Sequence, residues 1–337
     1  MNTMKGYLCA AALALALLAT SGAAKAAEKI VFVTNWKAEA EHGGFYQAIA
    51  RGFYAKRGLD VQLRQGGPGI DNIQLIASGA ADMVVASNDF GMLNLVREKT
   101  GVVAVMSAFQ KDPQIIMTHP DPAIKDLADL KGRPIMLGSG SIGTFWVWLK
   151  AKYGYEDSQI RKYTFNMAPF IVDKAAVQQG YVTSEPFEVK KESGIDAKVF
   201  LLADNGWASY SAMVAVGPKW LTEKPQAVQD FVDASIEGWY DYIYGDPAPA
   251  NALIKKDNPE MTDDLLTYGI ATMRKYGIVD SGDSLTLGIG AMTEARWKDF
   301  FEVMAAQGIY PRDLDYKQAY TLAFVNKGHA KEMRPKQ

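Results

Sequence analysis

Cysteine is almost missing from this chain: among 337 residues the one example is Cys9, close to the N-terminus. That count leaves no disulfide framework and no cysteine-based metal site. Histidine is nearly as scarce, and His42, His119 and His329 share no HxxxH-type spacing, so no metal centre is expected. After the N-terminal segment no run approaches the roughly 18 apolar residues that cross a bilayer. Nor does one sign of charge dominate, with 36 Lys and Arg against 38 Asp and Glu and no long block of either. The lack of a basic stripe argues against a nucleic-acid partner. Heptads, fixed-period repeats and low-complexity tracts are absent as well.

The chain opens with an export leader. Lys5 supplies a charged start, Leu8 to Ala19 an apolar stretch, and Ala24-Lys25-Ala26 a small-x-small cleavage site. The apolar stretch is too short for a span, and Cys9 stands at its beginning, the wrong place for a lipid-modified cysteine. Cleavage after Ala26 is expected to deliver a cysteine-free chain of about 310 residues to the periplasm. Such a length buries a full core without disulfides and points to about two domains. Loss of Lys5 and Lys25 takes the formal charge from −2 to about −4. A soluble enzyme and a soluble binding protein both remain open.

Strand and helix patterns then alternate. Strands are expected near 30–34, 59–63, 83–86 and 102–109, with helices at 44–56, 70–78 and 90–99; Gly58 closes the first helix. A second unit follows, with strands at 114–117, 134–137, 161–165 and 181–182, helices at 144–153 and 168–180, and a last strand at 199–202. The chain returns through 212–216 and becomes mostly helical, at 225–244, 247–256, 262–276 and 292–306. This order predicts an α/β protein of two lobes, each a mainly parallel sheet flanked by helices, with a helical C-terminal segment. Lobe I takes 27–115 and 210–337, lobe II takes 116–209, and a ligand is expected between them.

Asn35-Trp36-x-Ala38 with His42, then Phe53 and Gly58-Leu59-Asp60-Val61, resembles the start of the NMT1/THI5-like group. Ser78-Gly79-x-x-Asp82, Leu127-x-Asp129-Leu130-Lys131-Gly132 and Gln179 to Pro186 are similar to segments of the wider group of solute-binding proteins. The resemblance covers about residues 29 to 220 and implies a type II-like periplasmic binding protein fold. It further implies a small-molecule ligand, delivery to an ABC permease with its ATPase, only peripheral contact with the inner membrane, and no cofactor. The ligand it favours is a flat heteroaromatic, either a thiamine-type pyrimidine precursor or a flavin-like ring. Sulfonate, taurine or nitrate binding is the alternative. A pyrimidine-synthesis enzyme belongs to the same group, but its cysteine-rich metal motif is absent here.

Each candidate residue carries a plainer alternative. Trp36 stacks on a ring or covers a rim; Asn35 reads a pyrimidine edge or ends a strand. His42 bonds ligand or helix start, or is packed structurally. Gly67, Ser87 and Asn88 sit at strand-to-helix junctions, Asn88 serving equally as a helix cap. Ser139, Gly140, Ser141 and Gly143 form either an anion cradle or a tight turn. Glu185 accepts from a ligand amino group or pairs at a crossing, and Trp207 offers a second aromatic wall. The cluster Trp239, Tyr240, Tyr242 and Tyr244 has helical spacing and is expected to be core. No catalytic residue is assigned: there is no Gly-x-Ser-x-Gly elbow and no placeable carboxylate pair.

Overall fold

The computed structural model describes residues 26–68 and 70–336; the leader before Ala26, and Gly69 of the Gly67-Pro68-Gly69 turn, lie outside the described residues. Strand β1 (Glu28–Val33) leads into helix α1 (Gly43–Ala50), and β2 (Leu59–Arg64) returns parallel to β1 with Ile30 opposite Val61. Gly58 makes that return at φ 72°, a left-handed turn that disfavours a side chain. Helix α2 (Asn72–Ala77), strand β3 (Met83–Asn88), helix α3 (Asp89–Arg97) and strand β4 (Val103–Phe109) complete this run.

A second sheet holds β5 (Gln114–Thr118), β6 (Ile135–Leu137), β7 (Ile160–Lys162), β8 (Val177–Tyr181) and β9 (Lys198–Leu201). Its helices are α4 (Ser139–Ile142), α5 (Phe145–Tyr153), α6 (Ala168–Val172) and α7 (Glu185–Ser193). Strand β10 (Ser211–Val216) then crosses back into the first sheet. The strand orders are β2-β1-β3-β10-β4 and β7-β6-β8-β5-β9. The fold is thus two α/β lobes, each built on a mixed sheet. β10 runs antiparallel to β3 and β4, and β5 antiparallel to β8 and β9, because each arrives through a crossing from the other lobe.

One local expectation fails. The helix predicted over 168–180 stops at Val172, and 177–181 forms β8 beside β6 and β5. Its Gln178 and Gln179 are buried, so an apolar periodicity there said nothing about strand identity.

The C-terminal segment folds as α8 (Pro218–Glu223), α9 (Pro225–Tyr244), α10 (Ala248–Asp257), α11 (Asp263–Tyr276), α12 (Ser284–Leu287) and α13 (Glu294–Ala306). Helix α9 packs on α1 at very short range. A Cβ on Gly44 would stand 2.2 Å from the Trp239 indole, and one on Gly238 would stand 2.1 Å from the Gly44 carbonyl. Trp239 then meets Phe45 and Phe109 edge-on, with centroids 5.6 and 5.4 Å apart.

A clamp closes the end of the chain. Arg334 forks onto Asp280, Nη2 to Oδ1 at 2.6 Å and Nε to Oδ2 at 2.7 Å, and donates to the carbonyls of Ser284 and Leu285. The Asp280 side chain is only 3% exposed. Arg334→Ala would leave that carboxylate buried without its cation, a loss on the order of 3 kcal/mol. Urea unfolding of R334A is expected to show a lower midpoint with an unchanged slope, and R334K a smaller loss.

Candidate functional site

The carboxyl ends of β1 and β3 face the second lobe. Thr34 shapes the turn after β1, its hydroxyl donating to the Trp36 carbonyl at 2.6 Å and accepting from the Gly66 amide at 3.1 Å. Asn35 is held from both sides: its Nδ2 donates to Ser87 Oγ at 3.2 Å, and its Oδ1 lies 2.9 Å from His42 Nε2. Because Oδ1 can only accept, Nε2 carries the hydrogen. His42 is 2% exposed, and burial pushes its imidazole down to about 3, so the ring is neutral. Nδ1 is buried without a partner. The geometry makes His42 the group that orients the Asn35 amide.

Trp36 points across to the other lobe. Its ring meets that of Phe165 with centroids 4.6 Å apart at 53°, and Tyr163 lies behind Phe165 at 4.8 Å. Phe165 is 45% exposed and sits at φ +60°, unfavourable for a bulky side chain. Gly138 gives this ring room, since a Cβ there would be 3.1 Å from it. Nothing in the sequence pattern singles out Phe165; the strained backbone that presents it emerges only in the fold.

Carboxylates gather alongside. Glu185 opens α7 and accepts from the Tyr181 amide and Ser184 Oγ, each at 2.7 Å, and from the Tyr163 hydroxyl at 3.3 Å. Gly180 permits this approach, its Cβ position lying 2.9 Å from the Glu185 carboxyl carbon. Glu41 of lobe I accepts from the Thr183 hydroxyl of lobe II. Burial, reinforced by the charges of Glu41, Glu185 and Glu188, holds Glu39 well above the usual carboxylate range. Burial also raises Glu41 and Glu188 to about 7, with the charge of Glu185 adding to each. The seam between Glu39, Glu41, Thr183 and Ser184 encloses only about 10 Å³, so the lobes touch there. The two-residue spacing of Glu39 and Glu41 was visible in the sequence, but not their meeting with Glu185 and Glu188.

Other expected site residues fall elsewhere. Trp207 is a correction: it is fully buried, donates its indole N–H to Asp112 at 2.9 Å, and packs against Phe90, Trp148 and Phe300. It is core and lines no cleft. Asn88 is 4% exposed; its side chain caps α3 through the Gly91 amide and donates to Asp112. Both of these contacts are structural. Gly67 is half-buried in the loop after β2, next to Gly66, whose amide bonds the Trp36 carbonyl. Ser139, Gly140 and Gly143 are exposed and Ser141 is buried. The chain there makes the single turn α4, in which the Ser141 amide bonds the Gly138 carbonyl and the Thr144 amide the Ser141 carbonyl. Those two N–H groups are therefore not free for an anion.

Comparison with known proteins gives consistent results. A family model described as NMT1/THI5 like matches residues 39–250. A riboflavin-binding protein, RibY, of Chloroflexus aurantiacus is 24% identical over 89% of this chain and 87% of its own. A formylaminopyrimidine-binding protein of Halalkalibacterium halodurans is 26% identical, covering 67% of this chain and 69% of its own. A 4-amino-5-hydroxymethyl-2-methylpyrimidine phosphate synthase of Candida albicans is also 26% identical, covering 71% and 74%. Among solved structures, the periplasmic aliphatic sulphonate binding protein SsuA of Escherichia coli superposes with TM-score 0.61 at 13% identity, over 87% of this chain and 91% of that one. The fold is therefore that of periplasmic binding proteins.

The raised carboxylates set a pH dependence opposite to ordinary acid unfolding. Folded Glu188 keeps its proton up to about 7, against 4.5 for its ordinary value. Its cost to folding is thus full above about 7 and vanishes as pH falls through 4.5. His42 acts the other way, because the unfolded chain takes up its proton below 6.5 while the folded ring stays neutral down to about 3. Glu188→Gln is expected to melt above the parent at pH 8, with the gap closing as pH falls to 4.5. A pH series of thermal melts checks this.

Proposed function

Because the chain belongs to the NMT1/THI5-like family, we propose that it is the substrate-binding component of an ABC-type importer, taking a small flat heteroaromatic ligand. It works in the periplasm, where its leader sends it, and presents the loaded, closed form to a membrane permease and its ATPase. It breaks no bond in the ligand. The observation that carries the ligand class is the meeting of Trp36 and Phe165 from opposite lobes, 4.6 Å between centroids. A planar ring sandwiched between them needs two stacking distances of about 3.5 Å each, so the pair parts by roughly 2–3 Å to admit it. Asn35, held by Ser87 and His42, then offers an amide to the ring edge, and Glu185 is linked to the aromatic pair through Tyr163, which packs on Phe165. Ligand contacts made from both lobes favour the closed state over the open one.

The carboxylates discriminate between this reading and the sulfonate, taurine or nitrate alternative. An anion brought to this seam would face Glu39, Glu41, Glu185 and Glu188, which already repel one another. The names of two relatives, a riboflavin and a formylaminopyrimidine binder, agree with a heteroaromatic. The synthase reading lacks support from the residues: after Cys9 the chain has no cysteine for a metal motif.

A thermal-shift screen of the chain from Ala27 tests the proposal against pyrimidines, flavins, sulfonates, taurine and nitrate. A heteroaromatic is expected to raise the melting temperature with the logarithm of its concentration. Trp36→Ala and Phe165→Ala are each expected to weaken it about tenfold or more, since one aromatic wall contributes roughly 1–3 kcal/mol to a stacked base. Shifts with small anions alone, unchanged in W36A, would replace this reading by the anion alternative.

A further inference from the structure

The chain passes between the lobes twice, at 110–113 and at 202–210, and leaves peptide carbonyls outside the sheet ladders at both places. One side chain from the C-terminal segment serves both. Arg296, in the first turn of α13, donates from Nη1 to Gln110 Oε1 at 3.3 Å and from Nη2 to the Gln110 carbonyl on the first crossing. On the second crossing its Nε reaches the Ala208 carbonyl at 3.4 Å and its Nη2 the Ser209 carbonyl at 3.4 Å. The guanidinium carbon lies 4.0 Å above the Tyr210 ring.

The surroundings fix Arg296 in turn. Tyr210 donates its hydroxyl to Asp283 at 2.6 Å and accepts from the Thr293 amide at 3.0 Å, while Thr293 caps the helix through the Arg296 amide. Gln110 is tied to the same segment by its amide, to Ile278, and by its side chain, to Ala291. A planar fork with five N–H donors in fixed directions spans both crossings, whereas the three donors of an ammonium radiate from a single atom.

We infer that Arg296 is the positioning residue of the lobe hinge, holding the two crossings at a fixed separation. Lobe rotation is then concentrated in the segments just beyond its grip, 112–113 and 202–206, and the C-terminal helices move with lobe I. The effect concerns the range of lobe angles and needs no knowledge of the ligand, so it stands or falls apart from the function proposed above.

Because the chain has no cysteine after Cys9, two labels can be placed cleanly in the protein from Ala27. Lys56→Cys marks an exposed point on lobe I, and Val172→Cys a point 82% exposed on lobe II. Spin labels there report the distance distribution between lobes by pulsed electron resonance, well below the melting temperature. The parent is expected to give one narrow peak, R296A to lose it to a broad distribution, and R296K to fall between. R334A, which cuts a clamp touching neither crossing, is expected to melt earlier but keep the parental peak. A parental peak in R296A, or equal broadening in R334A, overturns the inference. Should R296A fail to fold, R296K decides: broadening supports the assignment, a parental peak refutes it.

Discussion

Twice the chain must leave one sheet and enter the other, and at each passage its peptide groups lose the ladder that satisfied them. A buried N–H or C=O without a partner costs about as much as a lost hydrogen bond, so the crossings need dedicated acceptors and donors. Asp112 supplies acceptors on one side. Its carboxylate, buried to the point that its affinity for a proton rises to about 6, takes hydrogen bonds from the Trp207 indole, the Gln114 amide and Asn88. Asp89 takes the Tyr210 amide, and the Arg296 guanidinium beside it offsets part of the cost of burying that charge. Strand direction follows from the same passages: β5 and β10 enter reversed, which is why each sheet is mixed.

The candidate site is a by-product of where those passages place the strand ends. Once β10 is inserted beside β3, the ends of β1 and β3 look toward the second lobe, and the loop from Thr34 to His42 is delivered to the seam. Several polar groups at the seam are then oriented by neighbours rather than by water. Asn35 is aimed by His42 and Ser87, Glu41 is engaged by Thr183, and Glu185 is tied to the strand it caps. Pre-set groups of this kind lose little freedom when a ligand arrives.

Much of this was readable in the chain before folding. The alternation of apolar runs and glycine stops located nearly every strand and the four long C-terminal helices, because local periodicity decides those elements. Strand β8 is hidden in a stretch whose local pattern predicts helix: its identity depends on being hydrogen-bonded between β5 and β6, which no local pattern encodes. Asn35, Trp36, His42 and Glu185 lie on the seam, in segments whose residues the resemblance singled out. Trp207 does not, because an aromatic residue near a crossing has no mark that separates a wall from a core. Phe165 and Arg296 escaped notice for a related reason. One acquires its place through a backbone angle, the other through two carbonyls nearly ninety residues or more away in sequence.

The contact between Trp36 and Phe165 also means that the two lobes already share an aromatic pair, tilted at 53°, across the seam. Opening this site forfeits an aromatic contact before any new one forms. Water, simple ions and aliphatic solutes offer no π-face in exchange, a disadvantage of about 0.5–1.5 kcal/mol for a guest that parts the pair. A flat ring replaces one lost face with two. On the function proposed above, selectivity of this kind would be a bias set by the protein's own side chains, operating even if every polar contact in the site were indifferent to the guest.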